Sequence, residues 1–404
     1  MTGPSGPARQ RRVILAVIVL AQTVANIGPL GIPAIASLIR DDLGLTLTQA
    51  GSFLSVYYLG PVTMSFFAGM LADRWGTAKT LVLGQALIAG GLLAASTAGS
   101  YGVLLALLGL AGVGYGTLNP ASTTAAMSWF PPRQRATVVG LKQVGLPFGG
   151  MLGAALMPAL ALRLGWRWAI AAGALLIVAC AALSAIVYRD PPTSDASPRG
   201  SSGAGRVAVA EVLRSRDLWL VASATLVFAA MQTVWMAFLA LYLQGVVGLA
   251  LLAASRYLAL AQAGGVLGRV AFGVLSDRTF GGRRRTPLVI AGCGSALCSL
   301  AIAFTGPDAG PWLLVPLALV FGFFGIGWNG VQHTLMAELA EPRSAGTAVG
   351  LGLAVSSLGV TLGPPVFGWC VTAAGGYRGP WIGLSLVMLA GLGLLALVRE
   401  RARF

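Results

Sequence analysis

Charge is the scarcest property of this chain: only 10% of its 404 residues are Asp, Glu, Lys or Arg, against about 25% in an ordinary soluble domain. That leaves too little polar surface for a water-soluble globule of this length. A cytosolic enzyme, a nucleic-acid-binding protein and a secreted module are all excluded. Acids are scarcer still, 12 against 27 basic residues, and there is one histidine, His333. The four cysteines (Cys180, Cys293, Cys298 and Cys370) fall in apolar stretches without metal-ligand spacing, and read as small packing residues. No Walker motif, nucleophile constellation or metal cluster occurs. The expectation is a protein that is not an enzyme and uses no cofactor or metal. No removable leader is evident either: Arg9, Arg11 and Arg12 run into an apolar stretch over 13–37 that lacks a small-residue cleavage pattern.

What the chain has instead is apolar length. Stretches able to cross ~30 Å of hydrocarbon fall near 13–37, 50–72, 79–98, 103–127, 137–162 and 168–188, then near 218–243, 248–275, 286–305, 311–337, 345–373 and 379–398. They are continuous, without the period-two alternation of a barrel strand. The fold class expected is therefore all-α integral membrane, with twelve transmembrane helices in two six-helix bundles over 1–188 and 218–404. A cytoplasmic linker over 189–217 joins them. It opens with Pro, Ser and Gly and ends as a short basic amphipathic stretch. Pro29, Pro147, Pro364 and Pro365 are acceptable inside spans, where neighbouring helices re-satisfy freed backbone groups.

Lys and Arg set the orientation. With the N-terminus in the cytoplasm, the inside segments hold 20 of the 27 basic residues and the outside segments five: Arg40, Arg163, Arg167, Arg256 and Arg378. This bias predicts both termini inside a multi-pass cell-membrane protein. It also explains the net charge of +15, which faces anionic lipid headgroups.

The chain repeats itself. Gly69-Met-Leu-Ala-Asp73-Arg74-Trp-Gly76 recurs 204 positions later as Gly273-Val-Leu-Ser-Asp277-Arg278. Asn119 pairs with Asn329 and Gly153 with Gly363 at an offset of 210, and Gly165-Trp-Arg167 with Gly376-Tyr-Arg378 at 211. Matches in order mean two homologous halves in parallel orientation, an arrangement that places a site near the membrane midplane.

The segment GMLADRWGTAK between the second and third helices, and its echo GVLSDRTFGGRRR between the eighth and ninth, resemble the loop signature of the major facilitator superfamily. The resemblance covers essentially the whole chain. It implies that Gly69, Asp73, Arg74, Gly76, Gly273, Asp277 and Arg278 latch and gate the halves and do not bind substrate. GLKQVGLPFGG (Gly140–Gly150) resembles the glycine-proline signature of the antiporter branch, with Pro147 one place later than that signature has it.

Every acid falls in a loop or at a helix end. Carboxylates inside the membrane are the usual relay of proton pumps and the usual counter-charge for cationic drugs, so their absence counts against both. Two cations do fall inside spans. Arg269 lies eight residues before Asp277, roughly 12 Å into the membrane, and Lys142 seven after Arg135, roughly 10 Å deep. A lone buried cation costs at least ~2.5–3.5 kcal/mol, so the missing counter-charge arrives with an anionic substrate, or the side chains bond to carbonyls or snorkel outward. Arg269 stands four residues before Gly273, as an arginine does in monocarboxylate, oxalate and nitrate carriers of the superfamily, where the resemblance implies contact with the anion. The second arginine of the nitrate carriers is replaced here by Ser65.

Lys142 reads either as an anion-attracting or proton-sensitive amine or as a snorkelling one. His333, on one helix face with Asn329, reads as the proton-titrating group or as a residue bonded to a neighbouring helix. Gln22, Asn26, Tyr57, Asn119, Gln143, Gln232, Gln262, Trp328 and Asn329 complete the polar set expected at the cavity, all on helices that superfamily architecture places around it. The function expected is secondary transport of a small organic anion, a carboxylate, by alternating access, with protons as a second partner, the bilayer as solvent, no nucleic acid, and a monomeric chain. A drug or metabolite exporter of the same superfamily is the alternative, and a non-transporting membrane sensor a remote one.

Overall fold

In hydrocarbon a backbone N–H or C=O has no water to turn to, so each apolar segment closes its own hydrogen bonds as a helix. The structure, a computed structural model, describes residues 6–190, 211–280, 282–340 and 344–400. Every regular element among them is helical. Eleven helices are long and apolar enough to cross a membrane. The helix Phe53–Trp75 adds a twelfth: its 23 residues extend about 34 Å at 1.5 Å per residue. The result is an all-α, multi-pass membrane protein.

The chain divides into two compact units, Met1–Ser194 and Asp195–Phe404. In the first, the six spans are Gly6–Gly31, Phe53–Trp75, Thr77–Ala95, Tyr101–Trp129, Pro132–Leu164 and Trp166–Val187. Between the first two, the short helices Ala36–Leu43 and Leu47–Gly51 turn the chain, the latter opened by a reciprocal capping box between Thr46 and Gln49. In the second unit the spans are Arg216–Gly245, Leu251–Arg278, Arg285–Ala303, an interrupted tenth, Ala345–Ala373 and Arg378–Ala396. The tenth consists of Pro311–Phe321, a π-helical turn Gly322–Ile326 and Asn329–Leu339. Most of the expected linker, residues 191–210, lies outside the described residues.

Small residues set which helices touch. Methyl groups at Gly149 and Gly153 in the fifth span would overlap the carbonyls of Thr23 and Ile27 in the first. Gly145 and Gly149 of the Gly140–Gly150 signature thus belong to a contact face against the first span, the small-residue packing that brings membrane helices together, whereas a Cβ on Gly140 would touch nothing. Gly60 and Gly112 do the same for the second and fourth spans. The second unit repeats the scheme, with Gly359 on Leu226 (eleventh on seventh) and Gly268 on Phe323 (eighth on tenth). Outward faces carry exposed Leu175, Ile186, Trp312 and Trp369, a surface suited to lipid rather than to water.

A candidate substrate site in each unit

In the first unit, Lys142 is fully buried and its ammonium meets three acceptors on the fourth span. These are the Asn119 carbonyl oxygen at 3.0 Å, Asn119 Oδ1 at 2.7 Å and Thr123 Oγ1 at 2.7 Å. Thr123 in turn donates to the Asn119 carbonyl at 2.9 Å. An ammonium has three donors, and here each has a neutral partner. Lys142 does not snorkel to the headgroups; it ties the fifth span to the fourth. Gln143, beside it, is half-buried.

On the first span, Gln22 Nε2 donates to Tyr115 Oη at 2.9 Å, and Asn26 Nδ2 donates to the Gln22 carbonyl at 2.6 Å. The Tyr115 ring lies 5.5 Å from that of Tyr57 and 6.2 Å from that of Tyr58, with Tyr57 and Tyr58 5.4 Å apart edge to face. Gln22, Asn26 and Tyr57 are all buried.

In the second unit the π-helical turn delivers Trp328 and Asn329 to the seventh span. Such turns shift the register of every side chain after them and recur at functional places. Trp328 Nε1 donates to Gln232 Oε1 at 3.1 Å and Asn329 Nδ2 to the same oxygen at 3.2 Å. Arg269 on the eighth span and His333 on the tenth are both half-buried and close enough to interact electrostatically. Gln262, two helical turns before Arg269, is fully buried, and both polar atoms of its side chain lack a hydrogen-bond partner among the described residues.

The signature segments stand at helix ends. Gly76 has φ +87° at the start of the third span. The carboxylate of Asp190, just beyond the sixth span, accepts the Ala78 N–H at 3.1 Å. A Cβ on Gly76 would stand 2.6 Å from Asp190 Oδ2, so glycine is needed there for both backbone shape and space. Arg74 is exposed; the surroundings of Gly69 and Asp73 lie outside the described residues. In the second unit Gly273 is open to solvent or lipid, and a Cβ there would touch nothing. Arg278 is exposed. Asp277 pairs with Arg284, whose guanidinium also reaches Glu338 at 3.2 Å and Ser276 Oγ at 2.8 Å. Glu400, beyond the twelfth span, accepts the backbone N–H groups of Arg284 and Arg285. Asp190 and Glu400 are 210 positions apart, an acid after the last span of each half, and this repeat escaped the sequence reading although its offset was already present in Asn119 and Asn329.

Two half-chains built on one plan, each with a buried polar set on its first, second and fourth or fifth spans, match one family throughout. The Major Facilitator Superfamily model aligns with residues 14–359 and 282–403. The chain belongs to the major facilitator superfamily. An uncharacterized MFS-type transporter of Mycobacterium tuberculosis is 29% identical over 366 residues, 90% of this chain and 80% of its own. A probable sulfoacetate transporter of Cupriavidus necator is 27% identical over 409 residues, 96% of this chain and 93% of its own. A solved bacterial homologue of the human lysosomal transporter Spinster has the same fold, with a TM-score of 0.76 at 20% identity, covering 98% of this chain and 96% of the other. This major facilitator chain is a transporter and not an enzyme.

Proposed function

We propose that the protein carries a small organic anion, a carboxylate, across the cell membrane by alternating access, as a monomer with both termini in the cytoplasm. The carrying observation is the placement of charge. Arg269 and Lys142 stand within spans, whereas Arg40–Asp41, Arg167–Asp42, Arg284–Asp277 and Arg284–Glu338 are ion pairs at span ends. Lys142 bonds neutral acceptors of the fourth span, and the planar guanidinium of Arg269 has the geometry for a bidentate grip on a carboxylate. The sulfoacetate carrier among the relatives supports an anionic cargo. His333, beside Arg269, supplies the coupling: an anion on Arg269 offsets its positive field, so anion and proton bind together, and the linkage is reciprocal.

Counterflow in proteoliposomes with a panel of anions, cations and neutral solutes tests this. Carboxylates are expected to exchange, and Arg269→Ala to abolish exchange with expression intact. Preference for cations or neutral solutes defeats the reading. Loss of pH-driven accumulation in His333→Ala, with counterflow retained, supports the proton role; unchanged accumulation removes it.

A further inference from the structure

Among the buried polar atoms of the first unit that have no partner among the described residues are Gln22 Oε1, Asn26 Oδ1 and Tyr57 Oη. They belong to one connected cluster. Asn26 is bonded to Gln22, Gln22 to Tyr115, and the Tyr115 ring packs on that of Tyr57. The side chains come from two spans and are 0%, 0% and 1% exposed, so bulk water does not serve them. Asn26 cannot relieve the shortage by turning its amide over. Its Nδ2 faces the Gln22 carbonyl, which only accepts, so Oδ1 must point elsewhere. Buried polar groups are nearly always satisfied, and leaving one unmet carries a cost.

The missing group has a definite chemistry. Asn26 Oδ1 is an amide oxygen, which accepts only; Tyr57 Oη is a phenol, which donates or accepts; and the Gln22 amide, bonded to a tyrosine hydroxyl that itself donates or accepts, can turn either end to the gap. A carboxylate offers no donor and would be repelled by the Asn26 carbonyl oxygen. A hydroxyl group donates to a carbonyl and can accept from Tyr57 at the same time. The rings of Tyr57, Tyr58 and Tyr115 add apolar, polarizable walls beside it. We infer that Gln22, Asn26 and Tyr57 form a hydroxyl-recognition subsite, and that the substrate is a hydroxylated carboxylate rather than a plain one. This rests on the organic-anion reading, which supplies the carboxylate; the hydroxyl is assigned to this cluster within the first unit.

A subsite built to bond a hydroxyl rejects the analogue that lacks it, because its own buried groups are then left unmet. The test uses matched acids: lactate with propionate, gluconate with hexanoate, 4-hydroxybenzoate with benzoate. Each is scored by counterflow in proteoliposomes and by thermal shift of the purified full-length protein. For at least one pair the hydroxylated acid is expected to be preferred roughly tenfold or more. In Tyr57→Phe and in Asn26→Leu that ratio should fall toward one. Tyr57→Phe keeps the ring, and the unliganded melting temperature shows whether each variant is folded.

If carboxylates are carried but no pair is discriminated, buried water alone occupies the cluster; the inference fails and the anion reading survives. If the preference is found but is undiminished in both folded variants, the hydroxyl is read elsewhere and the inference also fails. If no carboxylate is carried or bound, both fail together.

Discussion

Asp190 accepts the backbone N–H of Ala78 at 3.1 Å, and its carboxylate occupies the space that a side chain on Gly76 would need. An acid at a helix N-terminus meets both unpaired N–H groups and the positive end of the helix dipole. Because the acid follows the sixth span and the helix is the third, the contact fastens one end of the first unit. Glu400 fastens the ninth span to the end of the twelfth in the same way.

Gly76→Ala should therefore be the most damaging small substitution in its segment. It forces a Cβ onto φ +87°, a strain of about 1–3 kcal/mol, and displaces the Asp190 carboxylate. A lowered melting temperature in detergent is expected. Asp190→Ala should cost about 1 kcal/mol, the usual worth of an N-terminal cap, and Asp190→Asn less, since its amide oxygen still accepts. Equal melting of Gly76→Ala and the parent would show that the contact does not hold the helix.

Lys142 and Asn119 should behave as one unit. Lys142→Met strips Asn119 and Thr123 of their donor and should cost about 1–3 kcal/mol. Asn119→Ala removes the Oδ1 acceptor and leaves the backbone carbonyl in place. The double variant should be much less destabilised than the sum of the two singles, as expected for residues in direct contact. Additive losses in thermal or denaturant unfolding would dissolve the pairing.

At the opposite end of the first unit, Asp42 accepts from Arg167 at 2.7 Å and from Trp166 Nε1 at 3.1 Å. The bond from Arg167, then that from Trp166, lowers its carboxyl below the ordinary value of 3.8. A lowered folded-state value means the contact stabilises the protein fully above pH 3.8 and loses that contribution as the pH falls toward the folded-state value. Both side chains are nearly half exposed, so solvent screens the pair and the effect is small. Melting measured from pH 6 to pH 3 should decline more steeply for the parent than for Asp42→Asn. Parallel curves would show that this carboxylate does not contribute.

The repeat marked corresponding positions in the two halves. Asn119 and Asn329 hold matching places in the fourth and tenth spans, yet their company differs. Asn119 receives a lysine, while Asn329 donates to Gln232. The position matching Lys142 at the same offset is Gly352, so the ammonium has no counterpart in the second unit. The π-helical turn before Trp328 was illegible beforehand, since FGFFGIG is as apolar as any other stretch of a span and carries no proline to mark it.

Apolar length, the doubled plan, the family and the confinement of acids to helix ends were all determined by the order of residues, because a bilayer reads composition and length directly. Which side chains meet was decided only by tertiary structure. A helix that is apolar nearly all round gives no periodic signal of the face it turns inward. Its rotation is settled by neighbours that arrive from far along the chain: Ala78 finds Asp190 across 112 positions and Gln22 finds Tyr115 across 93. The partners of Lys142 and the unmet oxygens of Gln22 and Asn26 follow from that rotation, and no local pattern contains it.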